Sequence, residues 1–301
     1  MTEAMEMEYP LDDYGDLLMY YSQRTLKKQS DALRAMEGIS ARFSDKMGYG
    51  MLFGLPVGAL DYFILFSGEH SLRRRPEFPS YSWAGWKGAL SAFPSPGDIS
   101  QWLNTHTWIV WYTMDGNGKC DLCLFWNSSQ VNTLRPQRSD RVLYENRARL
   151  PFYCNGLDLG DTPTAPSNSS PVARLSHSSV CLRFWTISIF LSISDHRNSD
   201  GSLTLFDSDD RKCGQLYLGH LCYPMKAAGT GPYEVILLSG VAELDMPSAS
   251  RFSAGDHAEY HVMLLEWDGH VAERRGVGKV TKEGLFNSFK PGPVWKEIIL
   301  A

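Results

Sequence analysis

Residues 260–275 read Tyr260-His-Val-Met-Leu-Leu-Glu-Trp-Asp268-Gly269-His-Val-Ala-Glu-Arg-Arg275. Two strand-like runs, Tyr260–Trp267 and Val271–Arg275, flank Asp-Gly, a dipeptide that supplies the positive φ of a tight hairpin. The same grammar recurs upstream. Trp108-Ile-Val-Trp-Tyr112 and Cys123-Leu-Phe-Trp126 flank Asp115-Gly-Asn-Gly118. Further strands are expected at Cys181–Ile193, Leu203–Phe206, Gln215–Leu218, Tyr233–Leu238 and Trp295–Leu300, with a short helix over 281–289 stopped by Pro291-Gly-Pro293.

The first hundred residues follow the helical period instead. Leu11, Tyr14, Leu17, Leu18 and Tyr21 form one apolar stripe. Ser30 is placed to cap a second helix carrying Leu33, Met36, Ile39 and Phe43, with Asp31 in its first turn. Gly54-Leu-Pro56 breaks the chain, and Ala59–Phe66 leans to helix. Tyr81, Trp83 and Trp86 with interleaved Ser and Gly suggest a strand, and Asp98–His106 a short helix. The expected fold class is therefore α+β, with a helical head over 1–77 and a β-rich, sandwich-like, mainly antiparallel body over 78–301. A loop dense in Pro, Ser, Asn and Gly is expected over 155–179.

Composition removes whole classes. The 301 residues are 43% hydrophobic, which excludes disorder throughout, and 29 basic against 34 acidic side chains argue against a nucleic-acid partner. The acidic start, Met1-Thr-Glu-Ala-Met-Glu, lacks the basic and apolar regions of a secretory signal. The longest apolar run, Val180–Ile193, is too short and too polar to cross a bilayer as a helix, so no membrane partner is expected. Six cysteines fit a reducing compartment, and a cytoplasmic location is expected.

No catalytic constellation stands out. Cys120-Asp-Leu-Cys123 has the spacing of half a zinc site, but no second Cys or His pair completes it. Gly276-Val-Gly278-Lys279 lacks the Ser or Thr and the upstream glycine of a phosphate loop, so a turn is expected there. His257 and His261 have the i, i+4 spacing but straddle a loop and a strand start. Glu266 and Glu273 can face each other across the hairpin, as hydrolase carboxylates do, although solvent-facing strand charges are the commoner arrangement. Arg73-Arg-Arg75 can meet an anion or lie in a solvated loop. No cofactor and no metal are expected.

Several short segments, taken in order, resemble fungal heterokaryon-incompatibility (HET) domain proteins. Tyr21-Ser22-Gln-Arg24-Thr-Leu26, Asp31-Ala-Leu33-Arg-Ala35 with Gly38, Gly54-Leu-Pro56, Arg73–Arg75 and Pro79-Ser-Tyr-Ser82-Trp83-Ala-Gly85-Trp86 carry the resemblance in the first third. Tyr81 stands where that family has Trp. Glu266-Trp267, Glu273-Arg274-Arg-Gly276-Val-Gly278 and Pro291-Gly-Pro-Val-Trp295-Lys-Glu297 carry it at the end. The resemblance covers about 10–90 and 258–301, and the middle matches poorly.

In that family an N-terminal module similar to the Toll/interleukin-receptor fold is thought to be the cell-death effector. Its hallmark strands are absent from this sequence, so the chain resembles the C-terminal part of a HET protein. The resemblance implies a non-enzymatic, intracellular regulatory module whose partner in non-self recognition is another protein, such as a HET effector. A ligand- or carbohydrate-binding β-sandwich is the alternative, suggested by the nine tryptophans. Trp83 and Trp86 are expected to be scaffold, with Gly85 allowing close backbone approach.

Overall fold

The computed structural model describes residues 10–68, 72–91, 93, 99, 102–103, 107–114, 120–123, 181–218, 231–241 and 259–301. The stripe of Leu11, Tyr14, Leu18 and Tyr21 winds into helix α1 (Pro10–Ser22) and is buried along it. Pro10 at the first helical position and Asp12 and Asp13 in the first turn suit a helix start.

The second helix begins later than expected. Ser30 lies inside a 3-10 turn, Gln29–Asp31, and makes no cap. A second 3-10 turn, Arg34–Met36, precedes helix α2 (Glu37–Met47). The Tyr21 hydroxyl donates to the Ala32 carbonyl at 2.9 Å, occupying the acceptor that a continuous helix would offer to Met36. Met36 N–H donates to Leu33 instead. Gly48, at φ 75°, closes α2 by donating to the Ser44 carbonyl.

Gly54-Leu-Pro56 is a hairpin rather than a break. Strands β1 (Met51–Leu52) and β2 (Leu55–Pro56) are joined by Phe53 and Gly54, at φ 48° and 75°. Two successive positive φ angles match the twist of a tight hairpin. A 3-10 turn and helix α3 (Leu60–Phe63) follow, in line with the helical reading of Ala59–Phe66. The 81–86 segment is not a strand. Trp83–Gly85 is a 3-10 turn capped by Ser82 Oγ, which accepts from Ala84 N–H at 3.0 Å. Only Trp86 and Lys87 are extended, as β4 (Trp86–Lys87) paired with β3 (Arg73–Arg74).

The body is built on β5 (Val110–Met114), β6 (Cys120–Cys123), β7 (Leu182–Arg197), β8 (Leu203–Phe206), β9 (Lys212–Leu218), β10 (Tyr233–Gly240), β11 (Glu259–Asp268), β12 (Val271–Thr281) and β13 (Phe289–Leu300). Helix α4 (Lys282–Phe286), capped by Thr281, links the last two strands. Strands β5 and β6 pair as the arms of the expected hairpin. The Asp115–Gly118 turn, the side chains of Cys120 and Cys123, His257 and the expected 155–179 loop lie outside the described residues and side chains. Pro291-Gly-Pro293 lies inside β13 as a bulge rather than ending the preceding helix.

The pairings close on themselves. β7 pairs β10, β10 pairs β11, β11 pairs β12, β12 pairs β9, β9 pairs β8, and β8 returns to β7, all antiparallel. The 16-residue β7 makes this possible by holding different partners at its two ends. Following the register from Ile189 through Val235 and Leu264 to Leu218 traces the enclosed face. Gly276 and Gly278 continue β12 instead of turning. A Cβ at these positions would lie 2.4 Å from the Tyr217 carbonyl oxygen and 2.0 Å from that of Gln215. Glycine lets the two backbones cross tightly enough to close the ring.

The opposite faces of β7, β10 and β11 are largely buried as well. His261, Met263 and Leu265 alternate with Val262 and Leu264, and all five are buried. Such two-sided burial explains why these strands read as continuous apolar runs. The α+β class is observed, with the helices concentrated in the first third and the antiparallel sheet in the rest. No helix among the described residues is long and apolar enough to cross a membrane.

Candidate interaction site

Head and sheet meet at Trp86. Arg274 enters from β12, with its guanidinium 3.6 Å from the Phe66 ring centroid and 5.7 Å from that of Trp86. It is 3% exposed and donates to the Phe66 carbonyl. Arg74 stands 5.8 Å from the Trp86 ring and 3.9 Å from Glu273. Ser80 ties the seam, because its hydroxyl accepts from Arg274 N–H at 2.9 Å and its own N–H donates to the Ala301 carbonyl at 2.9 Å. Trp86 Nε1 donates to the Ser80 carbonyl at 2.7 Å. Pairing a cation with two aromatic faces and a carbonyl lowers the cost of burying it.

Arg75 belongs to the same seam, not to a solvated loop. It is 7% exposed and donates to Gln29 Oε1 at 2.8 Å and to the carbonyls of Ala84 and Trp86. Burial pushes its pKa down, partly offset by Tyr21 and Glu77. Pro79 and Gly85 close the turn around it. A Cβ on Gly85 would lie 2.3 Å from the Pro79 carbonyl oxygen, so glycine is required.

One layer further into the head, Trp83 Nε1 donates to the Gly54 carbonyl at 2.8 Å, and the Tyr14 hydroxyl donates to the same oxygen at 2.9 Å. Burial pushes the Tyr14 phenol up to about 12. Ser82 Oγ donates to the Phe53 carbonyl at 2.6 Å. Tyr21 packs edge-on against Trp83 at 5.6 Å, and Ser22 Oγ accepts from Leu90 N–H at 2.9 Å. These contacts hold the Phe53–Gly54 turn in its left-handed conformation, an unfavourable one for a phenylalanine.

Outside that turn lies an open groove of about 530 Å3. Ser40, Ala41 and Ser44 of α2 form one wall, and Met51, Phe53 and Gly54 the other. Leu33 closes the apolar lining, and Arg34 and Glu37 sit on the rim. The volume is in the range of small ligand or side-chain pockets. Asp31 stands 3.6 Å from Arg34, and Arg24 is exposed. Sequence reasoning reached Leu33 and Gly54 as motif members but missed the groove. Its second wall depends on a positive-φ phenylalanine that propensity disfavours.

Glu266 and Glu273 are cross-strand partners, as expected. Arg275 binds Glu266 directly and stands 3.3 Å from Glu273, so the space between the carboxylates holds a cation rather than a substrate opening. Trp267 Nε1 donates to Glu234 at 2.8 Å, and Lys296 Nζ covers the Trp267 ring at 4.3 Å while binding the same carboxylate. Trp267 and Trp295 are half-buried against the core, whereas Trp83, Trp86, Trp102, Trp108 and Trp111 are buried. A sugar platform needs an open indole face, and Lys296 caps the one at Trp267.

Two buried arrangements escaped sequence reasoning. Asp61 accepts from Trp111 Nε1 at 2.7 Å and from the Thr107 hydroxyl, fastening the head to β5. Ser239 Oγ and His261 Nδ1 lie 3.0 Å apart, but Ser239 is wholly inaccessible, so the pair joins β10 to β11 rather than presenting a nucleophile. Among the described residues no cluster of three or more His, Cys, Asp or Glu could hold a metal ion. No family model matches the chain, and no curated protein or solved structure matches it.

Proposed function

We propose that this chain is a non-enzymatic protein-interaction module of the heterokaryon-incompatibility class, acting inside the cell on another protein in non-self recognition. The observation that supports this reading is the seam at Trp86. Segments that carry the family resemblance from the first third and from the end of the chain meet there, with Ser80 and Arg274 hydrogen-bonded across 194 positions of sequence. Residues scattered along the chain at motif spacing thus serve one joint, as a shared fold signature should. The joint is packed with carbonyl-bound guanidiniums and aromatic rings, an arrangement suited to holding a surface in shape.

The test has two arms. Proximity biotinylation from the full chain in a fungal cytoplasm should enrich a discrete set of proteins over a ligase-only control. The purified chain should leave NAD intact and give no saturable tryptophan fluorescence change with a glycan panel. NAD cleavage would overturn the non-enzymatic reading. A saturable glycan response would favour the carbohydrate-binding alternative.

A further inference from the structure

The Arg73-Arg74-Arg75 run divides between two faces of one ribbon. Arg75 is buried against carbonyls, and Arg74 pairs with Trp86 beside Glu273 in the seam. Arg73 belongs to the other face. It is exposed, and the register of β3 with β4 sets it directly opposite Lys87, which is exposed as well. Opposed positions hold their Cβ atoms about 5 Å apart on one face of a sheet, close enough for both charged heads to reach a common group.

Like charges at such a pair destabilise a ribbon unless a counter-charge stands between them. Among the described residues neither the Arg73 nor the Lys87 side chain has an ion-pair partner. Of the carboxylates around the seam, Glu273 stands against Arg74 and Arg275, and Glu77 acts on Arg75. The ribbon itself is fixed from behind. Arg75 N–H donates to the Gly85 carbonyl at 2.6 Å, and its guanidinium donates to the carbonyls of Ala84 and Trp86. The Arg74 guanidinium donates to the Phe78 carbonyl at 2.6 Å. With the backbone already set, a ligand has to order only two side chains.

The charge of the pair selects the ligand. A single carboxylate leaves two opposed cations with a net positive charge. A phosphate monoester carries nearly two negative charges at neutral pH and offers three acceptor oxygens. The planar guanidinium fork takes two of those oxygens at once, and the ammonium meets the remaining charge. We propose that Arg73 and Lys87 form a binding site for a phosphate monoester, carried either by a small metabolite or by a phosphorylated side chain of a protein. Neither residue lines the groove beside Phe53, and the assignment does not depend on the interaction reading above.

The experiment titrates phenyl phosphate against the full chain and follows its phosphorus resonance, with benzoate as the singly charged comparison. The phosphorus shift should saturate, and benzoate should bind at least tenfold more weakly. Arg73→Gln and Lys87→Gln should each weaken phenyl phosphate at least tenfold, while Lys87→Arg retains it. Arg42→Gln, which removes an exposed cation on α2, should leave it unchanged. Binding should weaken severalfold below about pH 6, where the monoester loses its second charge. Circular dichroism melts establish that each variant is folded, and either glutamine variant alone suffices for the test. Random peptides carrying a central phosphoserine then separate the two sources. Selected phosphopeptides that bind at least tenfold tighter than phenyl phosphate place the group on a protein, and phosphopeptides that bind no tighter place it on a small molecule. An unsaturated shift, benzoate binding as tight as phenyl phosphate, or full affinity in both glutamine variants overturns the proposal. So does an equal loss in Arg42→Gln, since the phosphate then responds to the diffuse field of the chain rather than to this pair.

Discussion

The Arg274 guanidinium lies 3.6 Å from the centre of the Phe66 ring and donates to that residue's carbonyl, so one side chain from the sheet completes the core of the head. The Arg274 backbone N–H is engaged by Ser80 as well. Arg274→Ala would remove the stacked cation and its hydrogen bond while leaving the backbone contact. The expected loss is about 3 kcal/mol, combining a desolvated cation–π contact with a charged hydrogen bond. Urea denaturation measures it, and a loss below about 1 kcal/mol would mean that the seam does not depend on this residue.

Trp83 couples the motif turn to the Phe53–Gly54 hairpin. Trp83→Ala is expected to cost about 3–5 kcal/mol, as for other buried large aromatics. Trp83→Phe keeps most of the packing against Tyr21 and loses only the bond to Gly54, whose carbonyl still receives the Tyr14 hydroxyl. Its cost should be about 1–2 kcal/mol. Equal losses for the two variants would show that the indole N–H, rather than the ring, carries the contact.

What could be read from the sequence divides along a physical line. The α1 stripe and the Asp268-Gly269 hairpin are local patterns, in which period and turn chemistry act within a few residues, and both were legible. Arg274 was legible as a motif member but not as a buried one, because it sits between Glu273 and Arg275 in what reads as a polar strand. Its burial depends on Phe66 and Trp86, which only the tertiary fold brings near. Phe53 was illegible for a related reason. A phenylalanine is held at φ 48° by Ser82 and by the turn it belongs to, against its own preference. The groove inherits that obscurity, since one of its walls, Met51, Phe53 and Gly54, is this hairpin.

The glycines of β12 give a sharp contrast. Gly278→Ala would place a methyl group 2.0 Å from the Gln215 carbonyl oxygen, a backbone atom that cannot swing aside. The expected cost is at least about 3 kcal/mol, with loss of soluble protein as its extreme form. Gly38, inside α2, has nothing within 4 Å of its Cβ position and has ordinary helical backbone. Gly38→Ala should raise stability by about 0.5 kcal/mol by restricting the unfolded chain. Thermal melts of the pair check both signs, and a tolerated Gly278→Ala would refute the tight strand crossing.

Tyr14 predicts an alkaline limit to stability. Burial raises its pKa from 10.0 to about 12, and burial raises those of Tyr62 and Tyr81 in the same direction. A phenol whose folded pKa lies above its unfolded value holds its proton more tightly in the native state. Its contribution is fully present below the unfolded value of 10.0 and is lost as pH climbs toward about 12, where the unfolded chain has already ionised. Within that window each such tyrosine lowers stability by about 1.4 kcal/mol per pH unit. Tyr14→Phe should therefore be less stable than the parent at neutral pH, because it leaves the Gly54 carbonyl with Trp83 alone, yet decline less steeply above about pH 10. Urea midpoints collected from about pH 8 to about pH 11.5 should show the two curves converging. Parallel curves would mean that Tyr14 ionises as readily in the folded chain as in the unfolded one, and that the floor beneath the groove is open to water.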